Sequence, residues 1–358
     1  MLTANGCKTR RQRLLDALKP TEPLVLADPQ NLRYFAGFHV DPLSLAADYG
    51  GLLVIEPAGK ATLYRDDKLP KSANETHVDE TVILPWYDGQ SPGKCPRRLV
   101  LRPVVEKFGR VHDSVADSMA TELWTAIANL RRAKDADEIA ALSKCMRACE
   151  AGHAWARLNV KPGMTEVEVY AGIVEACTVA AGQMVQVYGD FAVSPGSARR
   201  GGPPTTQVIK PGDTLILDFS VVIDGYRSDF TNTLVVGKEP TPDQRRLFDL
   251  CVAAMAAGEE KLKAGTLCQT VYDAVRGVFS VEKMDQHFPH HAGHGLGLSH
   301  PEPPYIVRQS TEALIAGDVV TLEPGLYVDG IGGIRIEHNY LVTELGFKRL
   351  SHHMIALK

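Results

Sequence analysis

The spacing of apolar positions changes along the chain, and each change predicts a different element. RRQRLLDALK, residues 10–19, repeats apolar side chains at helical spacing. PLVLAD (23–28) and GGLLVIEP (50–57) are short apolar runs bounded by proline, glycine and charge, which predicts buried strands, and KATLYRDD (60–67) follows as a hairpin partner. Helical spacing returns over 123–158, with a break predicted at Lys134-Asp135, where Asp135 is placed to cap the next helix. Thr165 then stands three residues before Glu168, a capping-box signature for another helix. Beyond residue 185 the texture turns to strands and glycine-rich turns. The pattern predicts an α/β domain over 1–131 and an α+β domain over 132–358.

The second domain contains an internal repeat. PGDTLILDFSVVIDGYRSDFTNTLVV can be laid over AGDVVTLEPGLYVDGIGGIRIEHNYLV, which gives the domain a pseudo-twofold character. Gly212-Asp213 then matches Gly317-Asp318, Asp218 matches Glu323, and Asp224-Gly225 matches Asp329-Gly330. Asp229 matches Glu337 once the second turn is longer by three residues. With Asp224-Gly225 as a two-residue turn, Asp218 faces Thr231 and Asp229 faces Ser220, so the two acids are diagonal neighbours on one face. Glu323 and Glu337 fall nearly opposite each other across the looser turn.

Charge changes the picture mainly by exclusion. The 358 residues carry 39 basic and 43 acidic side chains, a formal charge of −4, without a long run of either sign. That leaves no footprint for nucleic acid or a membrane surface. The N-terminus carries charge where a signal peptide needs an apolar stretch, and no segment approaches the roughly 18 apolar residues of a span, so a cytoplasmic protein is expected. Seven scattered cysteines fit reduced thiols, and Cys145 and Cys149 lack the second pair a zinc site needs. The pair Arg10-Arg11 reads as the start of a solvated helix.

Four carboxylates converging in a strand-rich core repel unless about four positive charges compensate them, and two divalent cations supply that number with the oxygen ligands they favour. A purely structural account needs buried cationic partners, and of these only Arg335, two residues before Glu337, is placed to serve. Between the repeats lies HHAGHGLGLSHPEPPY, where His294 is flanked by glycines that let the backbone approach a ligand. A neutral imidazole completes such a site.

The order Asp, Asp, His, Glu, Glu resembles that of the pita-bread metallopeptidases, the group of Xaa-Pro aminopeptidase, prolidase, methionine aminopeptidase and creatinase. NLRYFAGF is similar to the N-terminal domain of the creatinase and prolidase branch, LRRAKDADEIAAL to its interdomain helix, and GHGLGL and TLEPGLYVDGIGGIRIE to its metal motifs. The resemblance implies a creatinase-like α/β domain followed by a pita-bread domain. It also implies that Asp229 and Glu337 bridge two metals, that Asp218 serves one, and that His294 and Glu323 hold the other. Glu323 takes the proton-exchange role by the same resemblance, and manganese is expected ahead of cobalt, zinc or iron.

Two departures stand out. The family's histidine in a Pro-His-Gly turn is replaced by Gly201, and the histidine expected seven residues beyond His294 is His300, six beyond, with Pro301 before Glu302. His300 is the expected second catalytic group, and Arg199, Arg200, His291 and Arg335 are the expected substrate contacts. The leading expectation is a homodimeric hydrolase that cleaves before proline. A non-peptidase acting on a small polar metabolite is the alternative. A catalytically silent binding protein is disfavoured by the intact ligand set.

Overall fold

Residues 2–40, 50–68 and 76–358 are described by the computed structural model. They divide into one unit of Met1–Arg131 with Asp135–Glu138, and a second of Arg132–Lys134 with Ile139–Lys358.

In the first unit, helix α1 (Ala4–Leu18) precedes strand β1 (Leu24–Leu26), helix α2 (Pro29–Ala36) and strands β2 (Leu52–Ile55), β3 (Ala61–Asp66) and β4 (Glu80–Leu84). The strands lie in the order β1-β2-β3-β4, antiparallel except for the β3–β4 pair. Helices α3 (Arg102–Phe108) and α4 (Ala120–Arg132) follow.

Arg10 and Arg11 do not face water as their sequence suggests. Arg10 is fully buried, its Nε donating to the Tyr34 carbonyl at 2.8 Å. Arg11 donates to the carbonyls of Phe35 and His77 at 2.6 and 2.7 Å. Tyr34 and Phe35 close α2, whose last carbonyls have no partner within the helix, and a guanidinium supplies donors there. Asp135 stands directly before α5, where its amide donates to Glu138 Oε2 at 3.0 Å, and its carboxylate pairs with Arg10 and Arg13 at 3.2 and 2.8 Å.

The second unit opens with helices α5 (Ala136–Asn159) and α6 (Glu166–Ala181), the latter started by the Thr165–Glu168 capping box. Strand β5 (Gln186–Val193) pairs with β6 (Thr214–Ile223), whose other edge carries β7 (Tyr226–Arg227) and β8 (Phe230–Val235). Asp224 and Gly225 both have positive φ, 51° and 86°, as a tight turn matching the twist of its strands requires. The register follows from that turn, with Ile223 opposite Tyr226 and Asp218 opposite Thr231.

Helices α7 (Pro242–Glu259) and α8 (Cys268–Val281) pack Cys251, Val275 and Phe279 into one core with Leu322, Leu326 and Ile334. Strands β9 (Gly293–Gly295), β10 (Glu302–Ile306), β11 (Val319–Leu322), β14 (His338–Val342) and β15 (Phe347–Arg349) form a sheet in the order β10-β9-β11-β14-β15. Between β11 and β14 the chain makes a separate hairpin of β12 (Gly325–Val328) and β13 (Gly332–Arg335).

One register runs through both pairs, from Leu322 opposite His338 to Gly325 opposite Arg335. The ladder is interrupted at Pro324, which has no N–H to donate. Glu323 and Glu337 occupy that interruption. Their amides bond elsewhere, Glu323 N to the Ala292 carbonyl at 2.9 Å and Glu337 N to the Thr231 carbonyl at 3.0 Å. The second bond ties the late hairpin to β8.

Candidate metal centre

Three of the acids, Asp229, Glu323 and Glu337, reach the site where a strand end or a ladder break releases them. Asp218 lies in mid-β6, while Asp229 sits in the gap between β7 and β8, with Ser220 Oγ 3.3 Å from its Oδ1. Asn339 fixes the Asp229 main chain, its Oδ1 accepting from Asp229 N at 3.3 Å and its amide donating to the Asp229 carbonyl. His294, central in the short strand β9, has Nδ1 2.9 Å from the Gly295 carbonyl, which leaves Nε2 directed at the acids.

His294 Nε2 stands 3.5 Å from both Asp229 Oδ2 and Glu323 Oε1. Four sets of ligand atoms each lie within 4.8 Å of one another: Asp218, Asp229 and Glu337; His294, Glu323 and Glu337; Asp229, His294 and His300; and His290, His291 and Glu323. Glu337 belongs to two of them. Its Oε2 accepts from Thr231 Oγ1 at 2.7 Å, whereas its Oε1 is buried with no hydrogen-bond partner among the described residues. A buried carboxylate oxygen without a donor is costly, and either a proton or a bound cation satisfies it. The donor set of carboxylate oxygens and one imidazole therefore fits divalent metal.

The titration behaviour follows the same crowding. Burial, and then Asp229, Glu323 and Asp218, push the Glu337 carboxyl well up. Burial also raises Asp218, to about 7, although the Arg335 guanidinium opposes it. Glu323 goes the other way: burial would raise it, but His291, His294 and His290 hold it well below the ordinary range. Burial would lower His300, yet its bond to Asp229 carries it up to about 9.

The expected substrate contacts separate in space. Arg200 lines the cavity in front of the acids, which measures about 320 Å³. His291 also lines it, with Nδ1 3.1 Å from Glu323 Oε1. His300 lies on its wall with Nε2 2.7 Å from Asp229 Oδ2, so the shifted histidine does reach the acids.

One expectation needs correction. Arg199 is tied to the carboxylate of Glu166 by two bonds, 2.8 and 2.9 Å, and is no part of the cavity wall. Arg335 does line the cavity, but its NH2 is engaged by Asp218 Oδ2 at 2.5 Å and Asp190 Oδ2 at 2.6 Å, and its NH1 by the Tyr327 hydroxyl at 2.8 Å. Its hydrogen bonds go to the protein, and it orients Asp218.

Asp190 is the residue that sequence reasoning missed. It pairs opposite Asp218 across β5 and β6, and its second oxygen accepts from Gly202 N at 2.8 Å. No motif marks it, because its role arises from strand register. It also explains Gly201: a β-carbon there would lie 1.9 Å from Asp190 Oδ2. His290 was missed too, although it neighbours His291; its Nε2 stands 3.0 Å from the Tyr327 hydroxyl.

A family model for metallopeptidase family M24 matches residues 140–344, a span that holds all five expected ligands. The chain belongs to metallopeptidase family M24. An uncharacterized peptidase of Staphylococcus aureus is 26% identical over 366 residues, covering 96% of this chain and 99% of that protein. Among solved structures, a prolidase from Pyrococcus horikoshii superposes with a TM-score of 0.80 at 23% identity, over 98% of this chain and 100% of that one. A Xaa-Pro dipeptidase from Bacillus anthracis gives 0.80 at 24% identity, over 98% and 99%. A dipeptidase PepE from Mycobacterium ulcerans gives 0.75 at 26%, over 99% and 98%. The fold is the pita-bread fold, and as an M24 member the chain is a metallopeptidase.

Proposed function

We propose that this M24 chain is a dinuclear metal hydrolase that cleaves the bond before proline, as an Xaa-Pro aminopeptidase or prolidase does. The observation that carries the reading is the convergence of Asp218, Asp229, His294, Glu323 and Glu337 around the partnerless Glu337 Oε1. In this reading Asp218, Asp229, His294, Glu323 and Glu337 would hold two ions, preferably manganese, with Asp229 and Glu337 shared, Asp218 serving one and His294 and Glu323 the other. The ions supply Lewis acidity and a hydroxide nucleophile at neutral pH. Glu323 exchanges the proton, and His291, 3.1 Å from Glu323 Oε1, is in reach to relay it. Arg335 and Thr231 hold Asp218 and Glu337 in orientation.

The seven free cysteines support a reducing, cytoplasmic setting. Steady-state hydrolysis of Xaa-Pro dipeptides and longer Xaa-Pro peptides by manganese-loaded protein tests the reading, with Asp229→Ala as the blank. Turnover that needs both metal and Asp229 is expected. A D229A variant that still holds two ions would sink the ligand assignment.

A second reading, a non-peptidase acting on a small polar metabolite, is favoured by Gly201. The family's histidine donor is absent there, and the Asp190 carboxylate occupies the space next to it. Protein that holds two metals yet turns over no Xaa-Pro peptide would establish this reading over the first.

A further inference from the structure

We infer that Arg200 recognises a free carboxylate on the substrate, which makes the preferred peptide substrate a dipeptide. The inference rests on the peptidase reading of the site and names its substrate class.

Most cations of the cavity are already engaged by the protein. Arg335 is bound by Asp218, Asp190 and Tyr327. His291 lies on Glu323, His300 on Asp229, and His290 on the Tyr327 hydroxyl. Arg200 lines the same cavity, is exposed, and has no ion pair or hydrogen bond among the described residues. Two divalent ions and Arg335 would together offset Asp190, Asp218, Asp229, Glu323 and Glu337. The charge of Arg200 is thus left without a counterpart in the protein.

The backbone on either side of Arg200 is fixed. Arg199 is held by Glu166, and its carbonyl accepts from Gly196 N at 2.8 Å. Gly202 donates to Asp190 Oδ1 at 2.8 Å and accepts from Phe191 N at 2.9 Å. A guanidinium on a pinned segment loses little freedom on binding, and its planar fork matches a carboxylate. The cavity, about 320 Å³, stands at the small end of the range for ligand sites, roughly 300–1,000 Å³. A short peptide whose C-terminal carboxylate lies near the metal centre satisfies both size and charge. A longer peptide carries a neutral amide where Arg200 asks for an anion.

The test is calorimetric binding of proline, leucine and alanine, each against its amide, to manganese-loaded wild type, Arg200→Gln and Arg200→Lys. Alongside it, kcat/KM is compared for Ala-Pro, Ala-Pro-amide and Ala-Pro-Ala. Wild type is expected to prefer the free carboxylate about tenfold or more, R200Q to lose that preference, and R200K to recover part of it. Equal binding of acid and amide by wild type, or an undiminished preference in R200Q, overturns the inference even if Xaa-Pro turnover is robust. Absence of Xaa-Pro turnover overturns the peptidase reading instead. In that case a carboxylate preference that R200Q abolishes still upholds Arg200 as the reader of a substrate anion.

Discussion

Thr231 and Glu337 hold each other twice: the Thr231 hydroxyl donates to Glu337 Oε2 at 2.7 Å, and the Glu337 amide donates to the Thr231 carbonyl at 3.0 Å. The first bond aims the carboxylate, and the second fixes the strand that carries it. Thr231→Val keeps the shape and removes only the first. Metal affinity is expected to fall about tenfold, while T231S retains it. Manganese titration by calorimetry reads the difference, and an unchanged affinity in T231V would show that the hydroxyl does not orient the ligand.

Metal loading should release protons. Burial and neighbouring acids raise the Glu337 carboxyl, and burial raises Asp218 to about 7, so both hold protons near pH 6 before metal arrives. Bound metal requires them ionised. Affinity is therefore expected to rise from pH 6 to pH 8, with more proton release at the lower pH. Calorimetry in buffers of different ionisation enthalpy measures that release, and a buffer-independent heat at pH 6 would contradict it.

Gly201→Ala should be costly, because its methyl would meet Asp190 Oδ2 at 1.9 Å. Asp190 is also held by Arg335, so the displacement spreads to the cation that orients Asp218. A loss of about 1–3 kcal/mol is expected. In an Asp190→Gly background the same substitution should cost much less, and a double-mutant cycle on urea midpoints measures the coupling. Additive effects would mean the two positions do not compete for space.

Behind the metal strands, buried histidines set an acid limit on stability. His153 Nε2–H donates to the Phe230 carbonyl and His353 Nε2–H to the Thr231 carbonyl, each at 3.1 Å. Burial drives His153 well below its ordinary value and His353 down to about 4. Because both folded values are depressed, the unfolded chain binds more protons in acid. The neutral rings thus cost nothing above about pH 6.5, and stability falls as pH drops below it, by about 1.4 kcal/mol per unit for each histidine. Urea midpoints between pH 7.5 and 4.5 should show the slope, and His153→Phe should flatten it.

Much of this protein was legible from spacing alone. The Asp224-Gly225 turn fixed a register in which Asp218 opposes Thr231, and β-strand alternation then put Asp218 and Asp229 on one face. The matching acids of the second hairpin, and His294 between its glycines, followed from local pattern. These are short-range properties, set by turn chemistry and side-chain period. Long-range placement was not legible. Nothing local distinguishes Arg199, bound by Glu166, from Arg200, free on the cavity wall, nor marks Arg10 as the buried donor to the end of α2. Asp190 became part of the centre only through pairing of β5 with β6, which also left Gly201 no room for a side chain. The sequence by itself determined which groups can bind metal, because ligand identity and strand register are local. Only the tertiary structure decided which charges are spent on one another and which remain for a substrate, since that depends on residues far apart in the chain meeting in space.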